Sequence, residues 1–314
     1  MLPRPHLYLL AALLVAFGLG HFSDHIDGYH LEVLIKIGIA VILAASLNLV
    51  NGHTGQFSLG HAGFMSVGAY GAAAFSLLVG RRLLGADGGS AVGQSGVFLL
   101  ALLAGGLAAA LAGLLVGVPS LRLRGDYLAI VTLGFGQIIK VILENVEPLG
   151  GALGLNGIPP FTTIFWVVAC AALTIFTVSC LVNSTYGRGF LAVRDDEIAA
   201  AAAGLDTTRY KTVAFVVAAF FAGLAGGLYG HYYLTITPSG FDFTKSIEIV
   251  VMVILGGMGN TVGVILAAAV LTLLPEALRP VAEYRSILYA ALLIALMLVR
   301  PQGLFSFTLG KTKI

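Results

Sequence analysis

The feature that most limits what this chain can fold into is a series of apolar runs, each about as long as the roughly 20 residues a helix needs to cross a bilayer. They lie near residues 6–22, 31–50, 57–79, 96–118, 127–145, 161–183, 211–233 and 285–300. Of the 314 residues, 58% are hydrophobic and only 10% are charged, whereas soluble domains carry roughly a quarter charged residues. So little charge leaves lipid as the main solvent for the surface. The chain therefore reads as all-α: a polytopic transmembrane helical bundle of about eight spans plus broken or re-entrant half-helices, forming a single domain over residues 1–314.

Several function classes drop out. A net charge of +2, without any basic run interleaved with aromatics, excludes a nucleic-acid partner. No nucleophile, base and orienting acid occur together, and there is no HExxH or paired CxxC, so no catalytic residues are expected. The stretch "HFSDHIDGYH" gathers His21, Asp24, His25, Asp27 and His30, but its place in a short external loop reads as a solvated rim, and no metal site is expected. Cys170 and Cys180 are ten residues apart on one apolar helix, about 15 Å along its axis and too far for a disulfide. The start, "RPHLYLLAALLVAFGLG", resembles a signal peptide in charge and apolarity. It lacks a small-x-small cleavage site, so a retained first span is expected.

Two interruptions stand out. In "LNLVNGHTGQFSLGHAGFMSVGAYGAA", residues 47–73, polar side chains and Gly52, Gly55 and Gly60 fall between apolar runs. Backbone that leaves helical geometry at membrane depth must be buried in protein or face a watery cavity. The second break, "GGMGN" from Gly256 to Asn260, cuts the run 247–274 into halves too short to span alone. Paired Gly-interrupted segments are a sequence pointer to a transporter's substrate path. The candidate path residues are thus Asn48, Gly52, His53, Gln56, Ser58, Gly60, His61, Gly256, Gly257 and Asn260. The rival reading is that some of them cap broken helix ends. Residues 62–74 read as a small-residue packing face.

Charge asymmetry orients the chain. If the polar segment 184–210 is cytoplasmic, Arg4, Arg122 and Arg124 fall on the same side, and Arg300, Lys311 and Lys313 join them only if 247–274 enters and leaves on one face. Arg81 and Arg82 fall on the opposite side, against the rule. Glu32, Glu144, Glu248 and Glu276 all lie near predicted membrane faces, which weakens a proton-coupled mechanism, although His53, His61 and His231 remain. Between the spans, Phe190 to Ala203 reads as one short cytoplasmic helix, with Gly204 suited to a left-handed end and Asp206 or Thr207 to capping the next helix.

The 47–73 stretch, the "GGMGN" break and the alanine-rich cytoplasmic helix together resemble the permease of branched-chain amino acid ABC importers, the LivM-type subunit. "GDYLAIVTLGFGQIIKVILENVEPLGGALGLNGIP", "STYGRGFLAVRDDEIAAAAAGLDTTRYK" and "RPQGLF" carry the resemblance further, over roughly residues 31–305. It implies a multi-pass protein of the bacterial inner (cytoplasmic) membrane that pairs with a second, paralogous permease, two cytoplasmic ATP-binding subunits and an external solute-binding protein. It places ATPase coupling at Arg188, Arg194, Asp195, Asp196, Glu197, Gly204 and Arg209. This chain has no GxxxxGK[ST], so no cofactor is expected on it, and ATP and Mg belong to the partner ATPases. Importer permeases commonly show Glu-Ala-Ala, three residues and Gly, whereas Ile198, Ala199 and Ala200 stand at that spacing from Gly204 and Glu197 falls one place early. Which acid meets the ATPase is therefore open. Urea, amides or aromatic acids are alternative substrates, and an ion-coupled carrier or a membrane scaffold is an alternative class.

Overall fold

The computed structural model describes residues 5–21, 27–84, 90–121 and 125–279, with a few isolated positions beyond. In chain order the helices are α1 (Pro5–His21), α2 (Gly28–Asn48), α3 (His61–Phe75), α4 (Arg81–Leu84), α5 (Ala91–Ser120), α6 (Asp126–Asn145), α7 (Ile164–Val182), α8 (Thr185–Asp195), α9 (Glu197–Ala202), α10 (Thr207–Tyr233), α11 (Phe243–Gly256) and α12 (Thr261–Ala277). Two-residue strands, β1 (Leu155–Asn156) and β2 (Thr235–Ile236), pair antiparallel. π-helical turns extend α2 through Leu49–His53 and α3 through Ser76–Gly80.

Among the described residues, six helices are long and apolar enough to cross a membrane: Gly28–His53, His61–Gly80, Val92–Ser120, Tyr127–Asn145, Ile164–Val182 and Thr207–Tyr233. These match the six inner runs of the sequence. The first run forms the 17-residue α1. The run 285–300, the motif "RPQGLF" and the positive C-terminus lie outside the described residues, as do Arg4, His25, Arg122 and Arg124.

The centre of the bundle is α3, α5 and α10, held at unusually close range by glycine. A methyl group on Gly68 would overlap the backbone of Gly223, one on Gly105 would meet the Gly68 carbonyl, and one on Gly226 the Met65 carbonyl. The small residues of 62–74 are thus a packing face, with Ala62, Ala69, Ala72 and Ala73 fully buried. Outward, α5 turns Leu99, Leu103, Leu107 and Leu111 away from the protein.

The run 247–274 folds into two helices joined at Gly257–Asn260, and α12 runs antiparallel to α2. Its first residues lie near Asn48, whose side-chain oxygen Oδ1 accepts the Gly259 N–H, and its last turn places Glu276 against Lys36. The connections 146–163 and 234–242 meet through β1 and β2 at the Lys36 end. The segment 184–206 lies at the other.

The segment 184–206 differs from expectation. In place of one helix over 190–203 there are two, α8 and α9, broken at Asp196. Asp196 is extended (φ −158°), and its carboxylate accepts from the Ile198 and Ala199 N–H groups at 2.8 and 3.0 Å. A carboxylate that caps a new helix start outcompetes continuation of the helix through the same residue.

Replacing Gly68 with Val is expected to destabilise the protein by about 1–3 kcal/mol or more, because neither backbone can move aside. Gly134→Ala, where a methyl group meets nothing within 4 Å, is expected to leave stability unchanged or slightly raised. Thermal midpoints of the purified membrane protein check both.

Candidate functional site

The two breaks are in contact with each other. α2 unwinds through its π-turn, and residues 54–60 run back without helical structure until α3 begins at His61. Oγ of Ser46 sits 2.9 Å from Nε2 of His61, so α3 starts beside the last turn of α2, back from the π-helical turn that follows it. Three N–H groups of this return limb are satisfied by partners outside it. The Gln56 N–H donates to the Val50 carbonyl (3.1 Å), the Ser58 N–H to Asn51 Oδ1 (3.2 Å) and the Leu59 N–H to Thr132 Oγ1 (3.1 Å). The Ala62 N–H donates to Ser246 Oγ (3.3 Å).

The second break is held the same way. Oδ1 of Asn48 accepts the Gly259 N–H at 2.9 Å, and the amide of Asn48 lies 3.5 Å from Nε2 of His53. A methyl group on Gly52 would overlap both the Asn48 carboxamide and the Gly259 N–H, so the approach of the breaks requires glycine there. Asn260 caps α12 by accepting the Gly263 N–H at 3.2 Å.

Of the path residues nominated from sequence, Asn48, Gly52, His53, Gln56, Ser58, Gly60, His61, Gly256 and Gly257 are all buried within the chain, and Asn260 is half-buried. Asn48, His53, His61 and Asn260 find partners in the chain, Asn260 as the cap of α12. Gln56 is the exception. Both polar atoms of its side chain, and the Asn51 amide nitrogen, are buried with no hydrogen-bond partner among the described residues. Thr132, Ser246 and Ser46 belong to the same network and were missed from sequence; for Thr132 and Ser46 the available signal was a hydroxyl residue within an apolar run, whereas Ser246 sits at the polar start of α11 with Thr244, Lys245 and Glu248 and carried no such signal.

The coupling residues form an exposed ledge at this end. Arg188, Arg194, Asp195, Asp196, Gly204 and Arg209 are exposed, with Ile198 67% exposed among them. Gly204 has φ +87°, the left-handed end expected of it, and Asp206 caps α10 through the Arg209 N–H. Glu197 faces inward instead: its carboxylate lies 2.6 Å from the ammonium of Lys211, a buried residue of α10. Arg194 pairs with Asp195 (2.9 Å) and reaches both breaks. Its stem covers Gly55, where a Cβ would lie 2.9 Å from Arg194 Cγ, and its guanidinium lies 3.4 Å from the Cβ position of Gly259.

Six long apolar helices and two polar breaks held in contact among them make a polytopic membrane protein. The chain belongs to the family described as the permease component of branched-chain amino acid transport systems, whose model matches residues 29–298. It is 36% identical over 99% of its length to the high-affinity branched-chain amino acid transport system permease protein LivM of Escherichia coli K12, covering 77% of that protein. It is 34% identical, with the same coverage, to the LivM protein of Salmonella typhimurium. The LivH permease protein of Escherichia coli K12 is 33% identical over 45% of this chain and 46% of its own length. No solved structure matches the chain.

Asn48→Ala strands the Gly259 N–H and is expected to lower stability by about 1–3 kcal/mol. Gln56→Leu removes a buried, unpartnered amide and is expected to leave the thermal midpoint unchanged or raised. Parallel melts of the two variants test the assignment.

Proposed function

We propose that this chain is one of two permeases in an ATP-driven importer of branched-chain amino acids in the bacterial inner membrane. A paralogous permease, two cytoplasmic ATPases and an external solute-binding protein complete the machine. The names of its relatives support the substrate, and the partial likeness to LivH supports a paralogous partner. ATP and Mg bind the partner subunits, and this chain catalyses nothing.

The coupling role rests on one observation: Arg194, on the exposed ledge, touches Gly55 of the first break and Gly259 of the second. A partner pushing on α8 and α9 acts on both breaks through one side chain, and on α10 through the Glu197–Lys211 pair. Asp196 caps α9 and Glu197 holds Lys211, whereas Asp195, paired with Arg194 beside it on the same ledge, keeps its side chain 69% exposed and is the acid best placed to face an ATPase. Asn48, Gly52, His53, Gln56, Ser58, Gly60, His61, Gly256, Gly257 and Asn260 then form the gate of the path, closed in this conformation. Gln56 gains its hydrogen bonds when the gate opens.

Reconstitution tests this reading. The complete complex in proteoliposomes is expected to import leucine only with internal ATP and external binding protein; import by this chain alone would make it a self-sufficient carrier. Arg194→Ala is expected to lower import by about fivefold or more while ATP hydrolysis persists, since typical coupling energies are worth that factor. Gln56→Leu is expected to lower import without loss of assembled complex.

A further inference from the structure

A cavity of about 300 Å³ lies between α2, α10, α11 and α12, towards the end of the bundle opposite Arg194. Its lining is unusual for a chain so poor in charge: Lys36, Lys245, Glu248 and Glu276 share it with Ile39, Leu43, Met65, Ile249, Met252 and Leu271. Two lysines and two carboxylates make its walls electrically neutral, yet strongly dipolar.

The two charge clusters are not equivalent. Lys36 is held by Glu32 (2.9 Å) and Glu276 (3.2 Å), and Glu276 also accepts from the Tyr29 hydroxyl (3.0 Å). That cluster is fully bonded and ties α12 to α2. On α11, by contrast, the Lys245 ammonium and the Glu248 carboxylate meet each other at 2.8 Å, with no third charged group bridging them among the described residues. Both side chains remain about a third exposed (32% and 34%).

Their level in the bundle follows from the contacts. Ser246, adjacent to Lys245, accepts the Ala62 N–H, and His61, adjacent to Ala62, bonds Ser46. Ser46 is ten residues along α2 from Lys36, or about 15 Å. The Lys245–Glu248 pair therefore belongs to the first turns of α11, beside the buried network of Ser246, Ala62, His61 and Ser46, and lines the cavity where it enters the bundle; ionisable side chains in such a place are rare and mark substrate routes.

We infer that the Lys245–Glu248 pair is a binding station for a zwitterionic aliphatic amino acid. The ligand carboxylate replaces Glu248 on Lys245, the ligand ammonium replaces Lys245 on Glu248, and the aliphatic chain lies against Leu43, Met65 and Met252. A half-exposed ion pair contributes little to stability, so exchanging it for two charge-assisted contacts to one ligand is easily reversible, as transit requires. A simple anion meets two carboxylates here and a simple cation two ammonium groups; only a ligand carrying both charges satisfies both walls. The inference takes the substrate class from the function proposed above and adds the place where that substrate is held.

The experiment uses the complete complex in lipid nanodiscs, with Met252→Cys as reporter and a small water-soluble thiol reagent. Leucine is expected to slow labelling, whereas 4-methylpentanoate and 3-methylbutylamine, which each lack one charge, are not. Glu248→Gln and Lys245→Met are each expected to weaken leucine protection by about tenfold or more, the range for a lost charged hydrogen bond. The swap Lys245→Glu with Glu248→Lys preserves the pair and the thermal midpoint but misdirects an L-amino acid, and it is expected to lose protection and import. Full import by the swapped variant would make the pair structural and overturn the inference. So would labelling that responds to phosphatidylethanolamine in the disc but not to leucine, which would assign the pair to a lipid headgroup. Leucine import without leucine protection would overturn the station and leave the proposed function standing. Leucine protection in a complex that does not import leucine would do the reverse.

Discussion

Hydrocarbon offers no hydrogen bonds, and this constraint organises the molecule. Wherever the backbone leaves the helix, a polar group from elsewhere must complete it. The return limb 54–60 and the turn 257–260 meet that demand with Asn51, Thr132 and Asn48, and Ser246 serves the start of α3. Three of these four residues come from elements distant from the backbone they complete, or bridge one break to the other. The breaks are therefore fastened together, and neither can rearrange without breaking hydrogen bonds that the other shares.

That fastening sets the relation between the parts. The interior of α3, α5 and α10 is joined backbone to backbone, while α2, α11 and α12 share the apolar core and are tied in addition by polar and ionic contacts. The ledge of α8 and α9 lies at one end of this second group, where Arg194 lies against both breaks. The charged cavity lies at the other end. A path opening between them would be controlled from the ledge and loaded from the cavity, with Asn48 and Gly259 in between.

Much of this was legible in the sequence, for definable reasons. An apolar run of twenty residues has one stable form in lipid, so the six inner helices and the break at Gly256–Asn260 could be read from composition and glycine placement. The helix over 190–203 was misread because five consecutive alanines favour continuation, while a single aspartate, Asp196, gains more by capping. The partners of the breaks were hidden because a serine or threonine in an apolar helix gives no sign of which distant N–H it completes. The approach of Arg194 to Gly55 and Gly259 was equally invisible, since it depends on how segments 139 and 65 residues apart are placed in space.

The glycine seam between α5 and its neighbours also divides that helix in evolutionary terms. On one side, at Gly105, even a methyl group collides with a backbone carbonyl, so the position admits essentially one residue. On the other, Leu99, Leu103, Leu107 and Leu111 face outward, where any apolar side chain serves equally well. A single helix thus carries two mutational regimes a few ångströms apart, one nearly frozen and one free to drift.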